Sequence, residues 1–236
     1  MRLRALLVLI ATLAFVGSPL LVPGFGGYEP SQFPVPLEDP PVQPAGYAFS
    51  IWGPIYLWLL VSAGYGLWRR ADVAAWDATR IPLLISLAVG AIWLPVAVAS
   101  PLWATLLIWV MLGGALGALL RTPREDRFLL REALGLYAGW LTAASAVSIG
   151  LIASGWGLPP FGPEGWALAA LTLGLVIAVA TLWRLPSPAY GGAVVWALIA
   201  VTVRNGADLV GIFAAVAALS VATLTVFLAR KERHGP

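Results

Sequence analysis

The chain of 236 residues contains no cysteine, one histidine and one lysine, and only 11% of it is charged. Without cysteine there is no disulfide framework, no thiolate nucleophile and no thiolate metal site. The single histidine, His234, lies in a charged C-terminal tail. That inventory excludes a histidine-based catalytic triad, a histidine zinc site and a histidine haem ligand within the apolar part of the chain. The shortage of charge, set against 60% hydrophobic residues and a mean hydropathy of +0.89, excludes a water-soluble domain of this size. The net charge of +3 does not mark a nucleic-acid binder, because the charges cluster at the ends of apolar segments. Gly24, Gly26 and Gly27 form no phosphate loop, since no lysine or serine follows in register and no strand precedes.

What is present is a series of apolar runs at about 4–22, 47–68, 81–99, 102–120, 128–153, 166–183, 189–203 and 209–229. About twenty residues of helix cross a hydrocarbon core of about 30 Å, and only a helix satisfies its own backbone there. The fold class is therefore all-α, a polytopic helical membrane protein with eight spans. Arg2 and Arg4 precede the first apolar run as they would in a secretory signal. No small-x-small cleavage site follows and the run continues through Leu20, Leu21 and Val22, so it reads as a retained first helix. The seventh span is the weakest, because Tyr190 to Val203 covers only about 21 Å at about 1.5 Å per residue, unless it starts near Pro186 and Pro188.

An even number of crossings places thirteen of the 14 basic residues on one side and leaves Arg204 alone on the other. The positive-inside rule then puts both termini in the cytoplasm. The expected setting is a bacterial inner membrane. Between the first two spans lies an outer loop with seven prolines from Pro23 to Pro44 and the acids Glu29, Glu38 and Asp39. Such a segment is extended rather than helical, and serves either as a lid over the bundle or as a stiff solvated connector. The Gly/Pro-rich stretch from Ser154 to Gly165 is the best module boundary. It divides residues 1–155, with five helices, from 156–236, with three helices and a charged cytoplasmic tail.

The most informative stretch is Pro44-x-Gly46-Tyr47-x-Phe49-x-x-Trp52-x-Pro54-x-Tyr56. At about 3.6 residues per turn, Phe49, Trp52 and Tyr56 line one side of a helix. Pro54 deprives the Ser50 carbonyl of its helical partner, so that carbonyl must find another donor. Trp93 in the third span and Tyr137 and Trp140 in the fifth also sit within spans. Trp68, Trp103, Trp166 and Trp183 lie near span ends, where an amphipathic indole anchors to the interface.

This pattern resembles the tryptophan-rich sensory protein family, the TspO and mitochondrial translocator (peripheral benzodiazepine receptor) group. The motif from Pro44 to Tyr56, the Trp68-Arg69-Arg70 end of the second helix, Trp93, and Tyr137-x-x-Trp140 carry the resemblance. It covers about residues 1–155 and implies a five-helix bundle with three further transmembrane helices after it. The chain departs from the family where Gly90 and Ser148 replace asparagines and where the loop lacks a tryptophan. The resemblance implies a membrane receptor or transport-type protein that binds a hydrophobic aromatic ligand, such as a tetrapyrrole, in an intramembrane cavity. Its lining would be Phe49, Trp52, Tyr56, Trp93, Tyr137 and Trp140, with Ser148. With no histidine or cysteine in the spans, metal-free porphyrin is as reasonable a ligand as haem, and no resident metal is expected. The resemblance also implies a homodimer.

Two alternatives come from other classes. One is a permease, or a membrane subunit of a larger complex whose partner surface is the last three helices. The other is catalytic turnover, which ranks last because no acid–base pair is poised inside the spans. The small-residue pairs Gly113/Gly117 and Gly135/Gly139 read as close helix packing. Thr142, Ser145 and Ser148 follow at three-residue intervals, and their hydroxyls bond either helix carbonyls or a ligand. Arg204 and Asp208, around an Asn205-Gly206 turn, read as an interfacial ion pair.

Overall fold

The computed structural model describes residues 1–22 and 26–234, without the side chains of Arg233 and His234. Gly24 of the glycine-rich turn and the His234 side chain lie outside the described residues. Among the described residues, eight α-helices follow one another: α1 (Arg2–Leu21), α2 (Trp52–Trp68), α3 (Ala74–Ala99), α4 (Pro101–Leu119), α5 (Arg131–Gly155), α6 (Pro163–Arg184), α7 (Pro188–Asn205) and α8 (Leu209–His234). No strand occurs among the described residues. Proline opens α4, α6 and α7, a position where its missing amide hydrogen has no helical partner to lose. The Ser100 and Ser187 hydroxyls accept the amides of Trp103 and Tyr190 and so cap α4 and α7. Gly206, at φ +59°, ends α7 in a backbone conformation that costs a glycine little.

Seven of these helices are long and apolar enough to cross a membrane, α2 counting together with the 3₁₀ turn Gly46–Ile51 that leads into it, and the chain is an integral multi-pass membrane protein. The exception is α7, the span that is weakest in the sequence. It does begin at Pro188, and its 18 residues rise about 27 Å. Its modest hydropathy comes from its ends, Gly191 and Gly192 at one and Arg204 and Asn205 at the other, while Tyr190, Ala193, Val194, Ala197 and Val201 are buried against other helices. The glycines of α5 allow that approach: a methyl group at Gly139 would collide with the Tyr190 carbonyl, and one at Gly135 with the Ser187 hydroxyl. In α4 the closely packed glycines are Gly114 and Gly117, both against Pro82 of α3, whereas Gly113 has nothing within 4 Å. Helix α5 is the hub, packed against α4, α6, α7 and α2.

The two faces of the bundle differ. Both termini share one face, because Arg2 pairs with Asp72, Arg80 donates to the Met1 carbonyl, and Glu232 of α8 accepts from Arg127 and Arg131. Arg80 is buried there and also donates to the Arg70 and Ala71 carbonyls, closing the end of α2. Asp126 accepts from Arg70 and from the Trp76 indole, and the Arg70 guanidinium holds its carboxyl below the usual carboxylate range. Glu132 accepts from Ser187 Oγ and the Ala189 amide, fastening the start of α7 to the start of α5.

On the opposite face the proline-rich loop is docked as a lid. Val42 is buried against Gly150 and its neighbour Ala170, and Phe33 is buried beside Gly155 with its ring edge-on to Trp156. Backbone bonds run from Val35 to Gly155 and from Ala45 to Ala200, and Asn205 donates to the Pro41 carbonyl. Arg204 pairs with Asp39 of this loop at 2.7 Å, not with Asp208. The lone basic residue on this face thus holds the lid. Entry to α2 also differs from a simple kinked helix. Residues Gly46–Ile51 form a 3₁₀ turn, so Pro54 falls in the first turn of α2. The Ser50 carbonyl finds its donor in the Trp52 amide, and the Ala48 carbonyl in the Trp196 indole of α7.

Candidate functional site: a cavity at the α5–α6–α7 seam

Beneath the lid, α5, α6 and α7 enclose a cavity of about 100 Å³. Trp140, Ala144, Val147, Ser148 and Leu151 of α5 form one wall. Leu171, Gly174 and Leu175 of α6 and Val194, Ala197, Leu198 and Val201 of α7 form the others. Phe49 and Trp93 close it on the side of α2 and α3, and Tyr28, Gln43 and Pro44 of the loop form its ceiling. The space exists because alanines and one glycine stand where larger side chains would interdigitate, which a close-packed interior otherwise fills. No charged side chain is among these walls. Burial pushes the Tyr28 phenol well above its ordinary range, so the ceiling stays uncharged at neutral pH.

The seven residues singled out in the sequence divide into two sets. Phe49, Trp93, Trp140 and Ser148 border the cavity. Phe49 meets Trp140 edge-on at 5.9 Å between ring centroids, and the Trp93 indole is fixed by a 2.9 Å bond to the Ala104 carbonyl. Trp52, Tyr56 and Tyr137 instead form a packed cluster around Phe15 of α1. Trp52 stacks on Tyr56 at 5.3 Å, and Phe15 lies edge-on to both. Tyr137 is fully buried, and its hydroxyl pairs at 2.9 Å with Ser86, which in turn donates to the Met111 carbonyl. A 6.1 Å edge contact between Trp52 and Trp140 joins the two sets.

Phe15 is the member that sequence reasoning misses, and Gly90 is its signal. A methyl group at Gly90 would come within 2.7 Å of the Phe15 ring, so the glycine that departs from the family's asparagine makes room for that ring. The hydroxyls of α5 bond mainly to backbone. Thr142 donates to the Ala138 carbonyl or pairs with Tyr190, Ser145 donates to Ile108 of α4, and Ser148 donates to the Ser145 carbonyl. Trp140 differs. It is 3% exposed, and its indole N–H has no hydrogen-bond partner among the described residues. A buried donor left unmatched costs roughly 1–3 kcal/mol, and the Trp109 indole is in the same position away from the cavity. The α6 and α7 walls carried no sequence signal beyond small residues at helical spacing.

No curated protein and no solved structure matches the chain. A family model described as TSPO-like protein matches residues 37–228, from the docked loop through most of α8 and across every wall of the seam. The chain belongs to the TSPO-like protein family.

Proposed function

We propose that this membrane protein is a receptor or transport-type protein that holds a hydrophobic aromatic molecule in the seam beneath the lid. The observation that supports this reading most is an uncharged, apolar cavity bordered by the rings of Phe49, Trp93 and Trp140. A bound molecule gains apolar burial at roughly 25 cal/mol per Å² and, from ring contacts with Phe49, Trp93 and Trp140, about 0.5–1.5 kcal/mol per aromatic pair. The lid, tied to α7 by Asp39 and Pro41 and to α5 by Val35, would control entry from its own side. The basic residues gathered on the face with both termini support a cytoplasmic location for that face.

The test is a binding titration with the full chain in lipid nanodiscs, using an aromatic ketone as probe. Trp140→Ala removes a ring that borders the cavity and is expected to weaken binding about tenfold. Ala144→Leu is expected to fill the space and abolish binding without lowering the melting temperature. Unchanged affinity in both variants would refute the site.

A further inference from the structure

The lid takes part in a second concavity. Between its residues 35–41 and the connector that joins α5 to α6 runs a groove of about 290 Å³, near the lower end of small-molecule sites at roughly 300 Å³. It shares no lining residue with the seam. Pro36, Pro40 and Pro41 of the lid and Pro163 at the start of α6 supply much of its wall, together with Glu38, Phe161 and Ser154. We propose that this groove binds a small, soluble alkylated ammonium ion carrying a hydroxyl. Glu38 supplies the counter-charge, Phe161 the aromatic face for the methyl groups, and Ser154 a hydrogen-bond partner for the hydroxyl. The proposal stands apart from the reading of the seam.

The sign of the ligand follows from charge. The lid face carries Glu29, Glu38, Asp39, Glu164 and Asp208 against Arg204 alone, and Asp39 meets Arg204. Such a face concentrates cations. Glu38 is exposed and makes no ion pair or hydrogen bond among the described residues, so its charge is available. No arginine or lysine borders the groove. An anion would also be short of donors, because proline brings no amide hydrogen and the amides of Val35 and Gly157 are spent on the Gly155 and Ser154 carbonyls. No cluster of three metal-ligating side chains occurs among the described residues, so the groove does not suit a bare metal ion. An alkylated ammonium asks for what is there: apolar walls, one carboxylate and an aromatic ring. Phe161 is held edge-on to Trp166 at 5.3 Å between ring centroids, and the Trp166 indole is fixed by a 2.8 Å bond to the Leu158 carbonyl. Ser154 is 6% exposed, its hydroxyl has no hydrogen-bond partner among the described residues, and that oxygen is not sealed off as Trp140 Nε1 is.

Saturation-transfer NMR titration of the full chain in dodecyl maltoside micelles, which carry neither charge nor ammonium, tests this with choline and with its neutral isostere 3,3-dimethylbutan-1-ol. Choline is expected to saturate a single site and to bind at least threefold more tightly than the isostere. Glu38→Gln and Phe161→Leu are each expected to weaken choline about threefold, the scale of one exposed ion contact or one cation–π contact, and the double variant about tenfold. Asp208→Asn removes the same charge from the same face away from the groove, and is expected to leave choline affinity unchanged. Both groove residues are exposed or half-exposed, so the melting temperatures should match wild type and a lost site is not a lost fold. No saturable choline binding, equal affinity for the neutral isostere, or an Asp208→Asn effect as large as that of Glu38→Gln would overturn the site. A tenfold loss of choline affinity on moving from micelles to phosphatidylcholine nanodiscs would give the groove to a lipid headgroup and overturn the assignment to a soluble cation. Because the seam lies elsewhere, none of these results bears on it.

Discussion

Two aromatic regions lie side by side in this bundle and behave differently. Around Phe15, the rings of Trp52, Tyr56 and Tyr137 fill one another's gaps, and the Tyr137 hydroxyl is satisfied by Ser86. At the seam, Phe49, Trp93 and Trp140 face alanines, a glycine and branched aliphatic side chains across open space, and one indole donor is unmatched. The residue types are the same in both. Whether an aromatic side chain packs or lines a cavity is decided by the size of what stands opposite, and by which neighbouring helix supplies it.

The contrast breaks most sharply at Phe15. Phe15→Ala removes a ring that is 4% exposed, and is expected to cost about 3–5 kcal/mol in unfolding experiments, since the cluster relaxes only partly around the hole. Affinity for the aromatic-ketone probe in the fraction still folded should stay within threefold of wild type. A tenfold loss would mean that the cluster, not the seam, holds the ligand.

Glycine variants sharpen the comparison next. Gly139→Ala presses a methyl onto the Tyr190 backbone and pushes α7 away from α5, so stability should fall by about 1–3 kcal/mol and ligand affinity with it. Gly113→Ala meets open space and should raise stability by up to about 1 kcal/mol through helix propensity alone. Thermal melts of the two variants in the same lipid check both signs.

Smaller effects are expected at the two faces. Asp126 has a folded pKa below its unfolded value of about 3.9, so its stabilisation is complete above that value and is lost as pH falls through the folded one. Because its partner Arg70 is about one-third exposed, screening reduces the effect. Asp126→Asn should therefore be less stable than wild type by about 1 kcal/mol at pH 7 and at pH 5, with the gap closing once the pH falls below the ordinary carboxylate range in denaturant melts. At the lid, the Asp39 side chain is 93% exposed, so Arg204→Ala should change stability by less than about 0.5 kcal/mol. Ligand exchange should nonetheless speed up, by about twofold at most, in stopped-flow release, because the latch over the seam is loosened.

Much of this architecture is legible in the sequence, for physical reasons that can be named. Apolar runs must match the bilayer, prolines and charges mark where they end, and glycines at Gly135 and Gly139 announce a close helix neighbour. The start of α7 is readable from Pro188 for the same reason. The long-range pairings are not. Arg204 looks paired with Asp208 because they are four residues apart, but its partner, Asp39, is 165 residues away on a loop whose docking depends on Val42 and Phe33 finding glycines in α5. The 3₁₀ entry to α2 is hidden because Pro54 is as compatible with a first turn as with a kink. The α6 and α7 walls escape because alanine, glycine, valine and leucine carry no chemical mark, and a cavity is an absence of volume rather than a motif.

The ligand lies at the seam of α5, α6 and α7, closed by Phe49 and Trp93, and not in the Phe15 cluster. A photoactivatable aryl ketone with a diazirine on its ring, irradiated with the full chain in nanodiscs and mapped by peptide mass spectrometry, tests this most directly. Adducts are expected in peptides spanning 140–151, 171–175 and 194–201, alone or together with peptides containing Phe49 or Trp93, competed away by the unlabelled ketone. Adducts confined to α1 and α2, around Phe15 and Tyr56, would contradict it.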